Sequence, residues 1–114
     1  MNVHYLAIVT TDVDAACAIY AAANGVSFSE ADPSLGGART AALADGGLVG
    51  VRAPMHEGET PVTRAYLLVE DIQKAVDAAA AAGAQIAVPP MEIPGHGQCA
   101  IYFHGGIEAG LWQR

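Results

Sequence analysis

The apolar positions of this chain fall into two matching blocks. The first opens with Val3-His4-Tyr5-Leu6-Ala7-Ile8-Val9, continues through Thr11-Asp12-Val13 and an Ala-rich stretch, and stops at Asn24-Gly25. The second opens with Arg64-Ala65-Tyr66-Leu67-Leu68-Val69, continues through Glu70-Asp71-Ile72 and another Ala-rich stretch, and stops at Gly83. Asp12 is as far from Asp71 as Gly25 is from Gly83, to within one residue, and that separation is close to half of the 114 residues. The chain therefore reads as a duplicated unit of about 57 residues, too long for most solenoid repeats.

Each block predicts the same elements in the same order. A run rich in Val, Ile, Leu and Tyr forms a strand. Asp12 or Asp71 caps the helix that follows, its carboxylate accepting from first-turn N–H groups that have no helical partner. Gly25 or Gly83 ends that helix, because glycine reaches the left-handed conformation without a Cβ penalty. Ile72, Ala75, Val76 and Ala79 carry the spacing of a helix packed on a sheet. Three more strands complete each unit, expected at 26–30, 37–43 and 47–53 in the first and at 85–88, 98–103 and 107–113 in the second. Turns are expected at Asp32-Pro33, Gly36-Gly37, Asp45-Gly46-Gly47, Pro89-Pro90, Pro94-Gly95 and Gly105-Gly106. The fold class is thus α+β: two βαβββ modules in a single domain, module one at 1–53, a linker at 54–61 and module two at 62–114, with helices on the outer face of a curved mixed sheet.

Composition narrows the function classes. Hydrophobic residues make up 53% and charged residues 15%, the opposite of a disordered chain. A formal charge of −7 disfavours phosphate backbones, so no nucleic-acid partner is expected. No apolar run approaches the roughly 20 residues of a membrane span, and no basic segment precedes an apolar one at the N-terminus, so the expectation is a cytoplasmic protein with no membrane partner. Cys17 and Cys99 make no disulfide framework, and Cys17 fits a small core position. Many apolar residues with few surface charges predict that a second subunit covers part of the surface, giving a homodimer.

The segments Thr10-Thr11-Asp12-Val13-Asp14-Ala15-Ala16 through Ile19-Tyr20, Val69-Glu70-Asp71-Ile72, Pro89-Pro90-Met91-Glu92-Ile93-Pro94-Gly95 and Gly110-Leu111-Trp112-Gln113 together resemble the vicinal oxygen chelate superfamily, which includes glyoxalase I, extradiol dioxygenases, and bleomycin and fosfomycin resistance proteins. The resemblance is to its glyoxalase-like branch. It implies that the sheets of two βαβββ modules close around a cavity, commonly in a homodimer.

In metal-dependent members of that superfamily, His and Glu ligands come from the first and last strands of each module and hold a divalent ion that polarises substrate oxygens. The corresponding positions here are Tyr5, Gly50, Arg64 and Gly110. That set lacks the donors, so no metal and no cofactor are expected; a one-residue slip would bring His4 to the first position, at the cost of flipping the face on which it points. His56 and His96 read as exposed loop histidines, and Glu57 and Glu59 as solvated linker charges. His104, at the tip of the last hairpin, and Glu108, four residues on, are the weak candidates for catalysis, as a polar pair.

Without a metal, a cavity still needs polar groups that orient a ligand among apolar walls. Strand alternation places Tyr5, Ala7 and Val9 on one face and Arg64, Tyr66 and Leu68 on the equivalent face of the second module, with Leu6, Ile8, Leu67 and Val69 toward the helices. Arg64 either receives an anion in bidentate geometry, lies at the wet end of its strand, or pairs with Glu92 or Glu108. Tyr66 and Trp112 serve as amphipathic walls or as plain core. Arg52 is expected at a rim and Tyr20 against the sheet. The favoured function is a metal-independent protein that binds a partly aromatic or anionic small molecule through Tyr5, Arg64, Tyr66, Trp112 and His4. The alternatives are a metal-free isomerase or epimerase, and a metal-dependent lyase or dioxygenase.

Overall fold

The computed structural model describes residues 1–114. Its elements are β1 (Val3–Val9), α1 (Val13–Asn24), a 3₁₀ turn (Pro33–Leu35), β2 (Arg39–Ala42), β3 (Leu48–Arg52), β4 (Val62–Leu68), α2 (Ile72–Ala81), β5 (Gln85–Ile93), β6 (Gly97–His104) and β7 (Ile107–Gln113). Two helices and seven strands, paired both parallel and antiparallel, make this an α+β fold. The chain forms two compact units: the first is Tyr5–Thr63, the second Met1–His4 with Arg64–Arg114. The first four residues thus pack with the second half of the chain, where the Asn2 carbonyl accepts from the Leu68 N–H.

In the first unit β3 lies between β1, parallel, and β2, antiparallel. Asp12 caps α1 by accepting from the Ala15 N–H, and Gly25 ends it at φ 65°. Ile8, Cys17 and Val51 form the core, with Tyr20 and Phe28 packed against them. Ile8 therefore points to the helix and Cys17 is a core residue, as alternation and composition predict. The strand expected at 26–30 does not form. That stretch is irregular, held by Ser29 N–H donating to the Thr40 carbonyl and by a single bridge between Asp32 and Ala38. The turn expected at Asp32-Pro33 is instead a 3₁₀ turn, with Asp32 accepting from the Ser34 N–H.

The second unit carries the full βαβββ order. β4 runs parallel to β7, which pairs antiparallel with β6, and β6 pairs with β5. Asp71 caps α2 by accepting from the Lys74 N–H. The helix ends at Ala81 with Ala82 as its cap, and Gly83 follows at the expected C′ position with φ 104°. Ile72, Val76, Ala100 and Leu111 are the core, joined by Val69, Ile86 and Tyr102. Pro89-Pro90 does not break the chain as expected: β5 runs through to Ile93, with register shifts between Ile86 and Val88 and between Val88 and Met91. A proline cannot donate to a ladder, so an irregular strand is where two in a row are tolerated.

Candidate functional site

Core packing assigns the two faces of the second unit's sheet. Ala100 and Leu111 face α2, so period-two alternation sends Cys99, Ile101 and Phe103 of β6, and Glu108, Gly110 and Trp112 of β7, to the opposite face. Tyr66 joins them, paired with Gly110 across β4 and β7. Arg64 lies two residues before Tyr66 on the same strand, and so on the same face.

Arg64 is the centre of this face. It is only 8% exposed, and a buried cation needs compensation. Its Nη1 donates to the Tyr66 hydroxyl at 3.2 Å, and its Nη2 lies 3.1 Å from Glu108 Oε2. Its Nε–H is buried and has no hydrogen-bond partner. Burial works to lower the guanidinium's pKa, but the Tyr66 and Glu108 oxygens outweigh it and the net shift is upward. Cys99 shares the face. Burial pushes its thiol up, and the nearby Arg64 charge only partly offsets this, so it is held as a thiol rather than a thiolate nucleophile.

Trp112 forms the adjoining wall. It is buried, its Nε1 donates to the His96 carbonyl at 2.9 Å, and its ring meets that of Tyr66 edge-on at 5.6 Å. The His4 ring sits 5.9 Å from the Trp112 ring. Burial lowers the His4 pKa, helped by the charges of Arg114 and His96. Unfolded His4 therefore takes up a proton near its ordinary 6.5 while folded His4 resists it, so stability falls as pH drops through 6.5. A His4→Gln variant should show a flatter decline than the parent when thermal unfolding is followed over that range. Parallel profiles would mean that His4 is as free to protonate as in the unfolded chain.

The other sequence candidates fall elsewhere. His104 pairs with Ile107 on the row that faces α2, its ring 6.1 Å from Tyr102. It is therefore not the partner of Glu108, which pairs with Arg64. His96 is half-buried rather than exposed. Tyr5 is buried in the first unit, with its ring end where a Cβ on Gly50 would sit. Glu59 is not a solvated linker charge. Its carboxylate is 16% exposed and takes a two-pronged contact from Arg52, Nη1 at 2.7 Å and Nη2 at 2.8 Å, plus the Met55 N–H. Arg52 is correspondingly held at 11% exposure rather than at a rim.

Cys99 is the site residue that sequence reasoning missed. The signal was present in the alternation of Cys99, Ile101 and Phe103, but only the strand pairing shows that this row shares a face with Arg64.

The four positions that the superfamily resemblance assigns to metal ligands do not fit a divalent ion. The Tyr5 ring fills the space over Gly50, the Tyr66 ring fills the space over Gly110, and Arg64 is a cation. No group of three or more His, Cys, Asp or Glu side chains converges anywhere in the structure.

Residues 2–106 match the family described as Glyoxalase/Bleomycin resistance protein/Dioxygenase superfamily. Among curated proteins, the chain is 32% identical over 110 residues to CFP32 of Mycobacterium tuberculosis and of Mycobacterium bovis, proteins named as glyoxylases; the match covers 91% of this chain and 42% of theirs. The chain thus spans less than half the length of those relatives. Among solved structures, it resembles a hypothetical protein from Bacillus halodurans (TM-score 0.78, 14% identity, 99% of this chain and 94% of that one). It also resembles methylmalonyl-CoA epimerase from Mycobacterium tuberculosis (TM-score 0.76, 14% identity, 97% and 86%). A third likeness is to the Streptomyces coelicolor methylmalonyl-CoA epimerase in complex with 2-nitronate-propionyl-CoA (TM-score 0.70, 16% identity, 99% and 96%). At these identities the likeness to solved structures is one of fold.

Proposed function

This chain belongs to the glyoxalase/bleomycin resistance protein/dioxygenase superfamily, and from that premise we propose that it is a metal-independent small-molecule-binding protein whose ligand is a partly aromatic carboxylate. The observation that carries this reading is the buried Arg64 guanidinium with an unpartnered Nε–H. Leaving a buried donor unsatisfied costs about 1–3 kcal/mol, and the Nε and Nη2 hydrogens form the edge that receives a planar carboxylate through two parallel bonds. Tyr66, Trp112 and Phe103 supply apolar and aromatic wall around it, with His4 at its margin.

Binding rather than turnover is what this face supports. His104 lies on the other row, and Cys99 is held protonated, so neither is presented as a base beside Arg64. The structural likeness to methylmalonyl-CoA epimerases favours an isomerase as the second reading, in which Glu108, 3.1 Å from Arg64, is the base on this face. We also place the protein in the cytoplasm as a homodimer. Its two free cysteines suit a reducing compartment, and exposed Ile19, Met91 and Ile107 suit a covered surface. No helix is long and apolar enough to cross a membrane.

Titration calorimetry with benzoate and its neutral analogue benzamide tests the reading. Benzoate should bind, benzamide should not, and Arg64→Met should weaken benzoate at least tenfold, the equivalent of about 1.4 kcal/mol. Benzamide binding as well as benzoate, or benzoate indifferent to the loss of Arg64, would remove the basis for an anion site.

A further inference from the structure

We propose that Glu108 is a resident competitor for the Arg64 edge, and that it makes the site selective for monoanionic carboxylates over dianionic phosphoryl groups; this rests on the carboxylate-binding reading above.

The geometry at Arg64 is half of a bidentate pair. Glu108 Oε2 takes Nη2 at 3.1 Å, yet Nε beside it is left without an acceptor. A carboxylate fully committed to this edge would engage both donors, as fork-to-fork pairing does. The contrast within the same chain is Arg52, where both Glu59 oxygens are engaged at 2.7 and 2.8 Å. The two acidic partners also differ in exposure: Glu59 is 16% exposed, whereas Glu108 is 39% exposed. Glu108 sits on β7, two residues after the Gly105-Gly106 turn, so it can rotate into water without disturbing the ladder. Glu108 is the wetter partner of the pair, so its carboxylate regains hydration on leaving, and the incoming ligand carboxylate takes its place as counter-charge to the buried Arg64.

These features divide the roles on the face. Arg64 is fixed by burial and by the Tyr66 hydroxyl, and Glu108 occupies one of its donors without closing the edge. An incoming planar carboxylate takes both Nε and Nη2, and Glu108 leaves to solvent. It does not leave far, because its backbone remains opposite Phe103 in the β6–β7 ladder. The displaced negative charge therefore stays near the ligand. A single ligand charge is matched by the guanidinium. A second ligand charge meets the displaced Glu108 with no cation left to balance it, and like charges brought together in a partly buried site are costly.

Binding of benzoate and of dianionic phenylphosphonate to the parent protein and to Glu108→Gln tests this, with Glu108→Ala as the second variant and thermal unfolding as the check on folding. Glutamine keeps the size of the side chain and removes its charge. Benzoate should tighten about tenfold in both variants, a gain in line with relief of one charge-assisted contact. Phenylphosphonate should gain more than benzoate, so that the parent's preference for the carboxylate shrinks. If benzoate binds the parent but is unchanged or weakened in both variants, Glu108 positions Arg64 instead of competing for it, and the inference fails while the binding reading stands. If both ligands tighten equally, the selectivity claim falls. If benzoate binds none of the three proteins, the carboxylate reading itself is lost, and the inference with it.

Discussion

Replacing Gly110 by alanine should destabilise the protein by about 3 kcal/mol, the upper end of what overpacking costs. Gly110 faces Tyr66 across the parallel β4–β7 pair. A Cβ there would stand 2.5 Å from Tyr66 Cδ2, 2.6 Å from Tyr66 Cγ and 2.8 Å from the Ala65 carbonyl oxygen. The first two atoms are at the root of a buried ring and the third is main chain, so none of them swings aside. Gly50 makes the comparison. A Cβ at that position would meet the Tyr5 hydroxyl and the far end of its ring, which moves by rotation about the Tyr5 side-chain bonds. Gly50→Ala should therefore cost clearly less than Gly110→Ala in urea denaturation at matched slopes. Equal costs, or a Gly110→Ala protein as stable as the parent, would show that the Tyr66 ring is not packed on the glycine. The same crowding rules out an acidic side chain at Gly110, which is where the superfamily resemblance would place a metal ligand.

The second large effect is acid sensitivity through Glu59. The Arg52 guanidinium beside it, together with the Met55 N–H, holds its pKa down to about 2, against 4.5 for the unperturbed group. A carboxylate with a depressed folded pKa stabilises the native state above its unfolded pKa, and that contribution is lost as pH falls through the folded one. The full contribution is thus present above pH 4.5 and disappears on descent toward about 2. Linkage with some allowance for solvent puts it at about 2–3 kcal/mol. Glu59→Gln should remove a comparable amount at neutral pH, because the largely buried Arg52 loses its two-pronged carboxylate partner. Urea midpoints recorded as pH is lowered should converge, with the parent falling to meet a variant that changes less over the same range. Curves that stay parallel from neutral pH to about 2 would mean that the Arg52–Glu59 contact does not persist in solution.

Much of the fold was legible in the chain because its signals are local. Asp12 and Asp71 cap helices as their positions indicate, Gly25 ends α1 in the left-handed region, and the last strand runs over the residues 107–113 expected for it. Each of these depends on a few neighbouring residues. The failures depend on what a segment meets elsewhere. Residues 26–30 have strand-forming residues but make only isolated backbone bonds, Val26 to Ala21 and Ser29 to Thr40. Pro89-Pro90 looks like a break, yet flanking pairs such as Met91 with Cys99 carry β5 across it.

The candidate site divides in the same way. Alternation along one strand is enough to put Arg64 and Tyr66 on a common face, and the superfamily resemblance is enough to show that Tyr5, Gly50, Arg64 and Gly110 are the wrong residues for a metal. Charge pairing is a different matter, because the attraction between two groups depends on a distance that only the folded backbone sets. The sequence offered Glu108 two partners, His104 and Arg64; the ladder puts His104 on the opposite face, and the pair that forms is with Arg64. Glu59 looks solvated in a polar linker, until the chain turns back and delivers it to Arg52 at 2.7 Å. By itself, then, the sequence determined the helix caps, the helix faces and the α+β class, all carried by local periodicity and residue type. Only the tertiary structure decided which charges are buried, which candidate pairs form, and which donor on Arg64 is left without an acceptor.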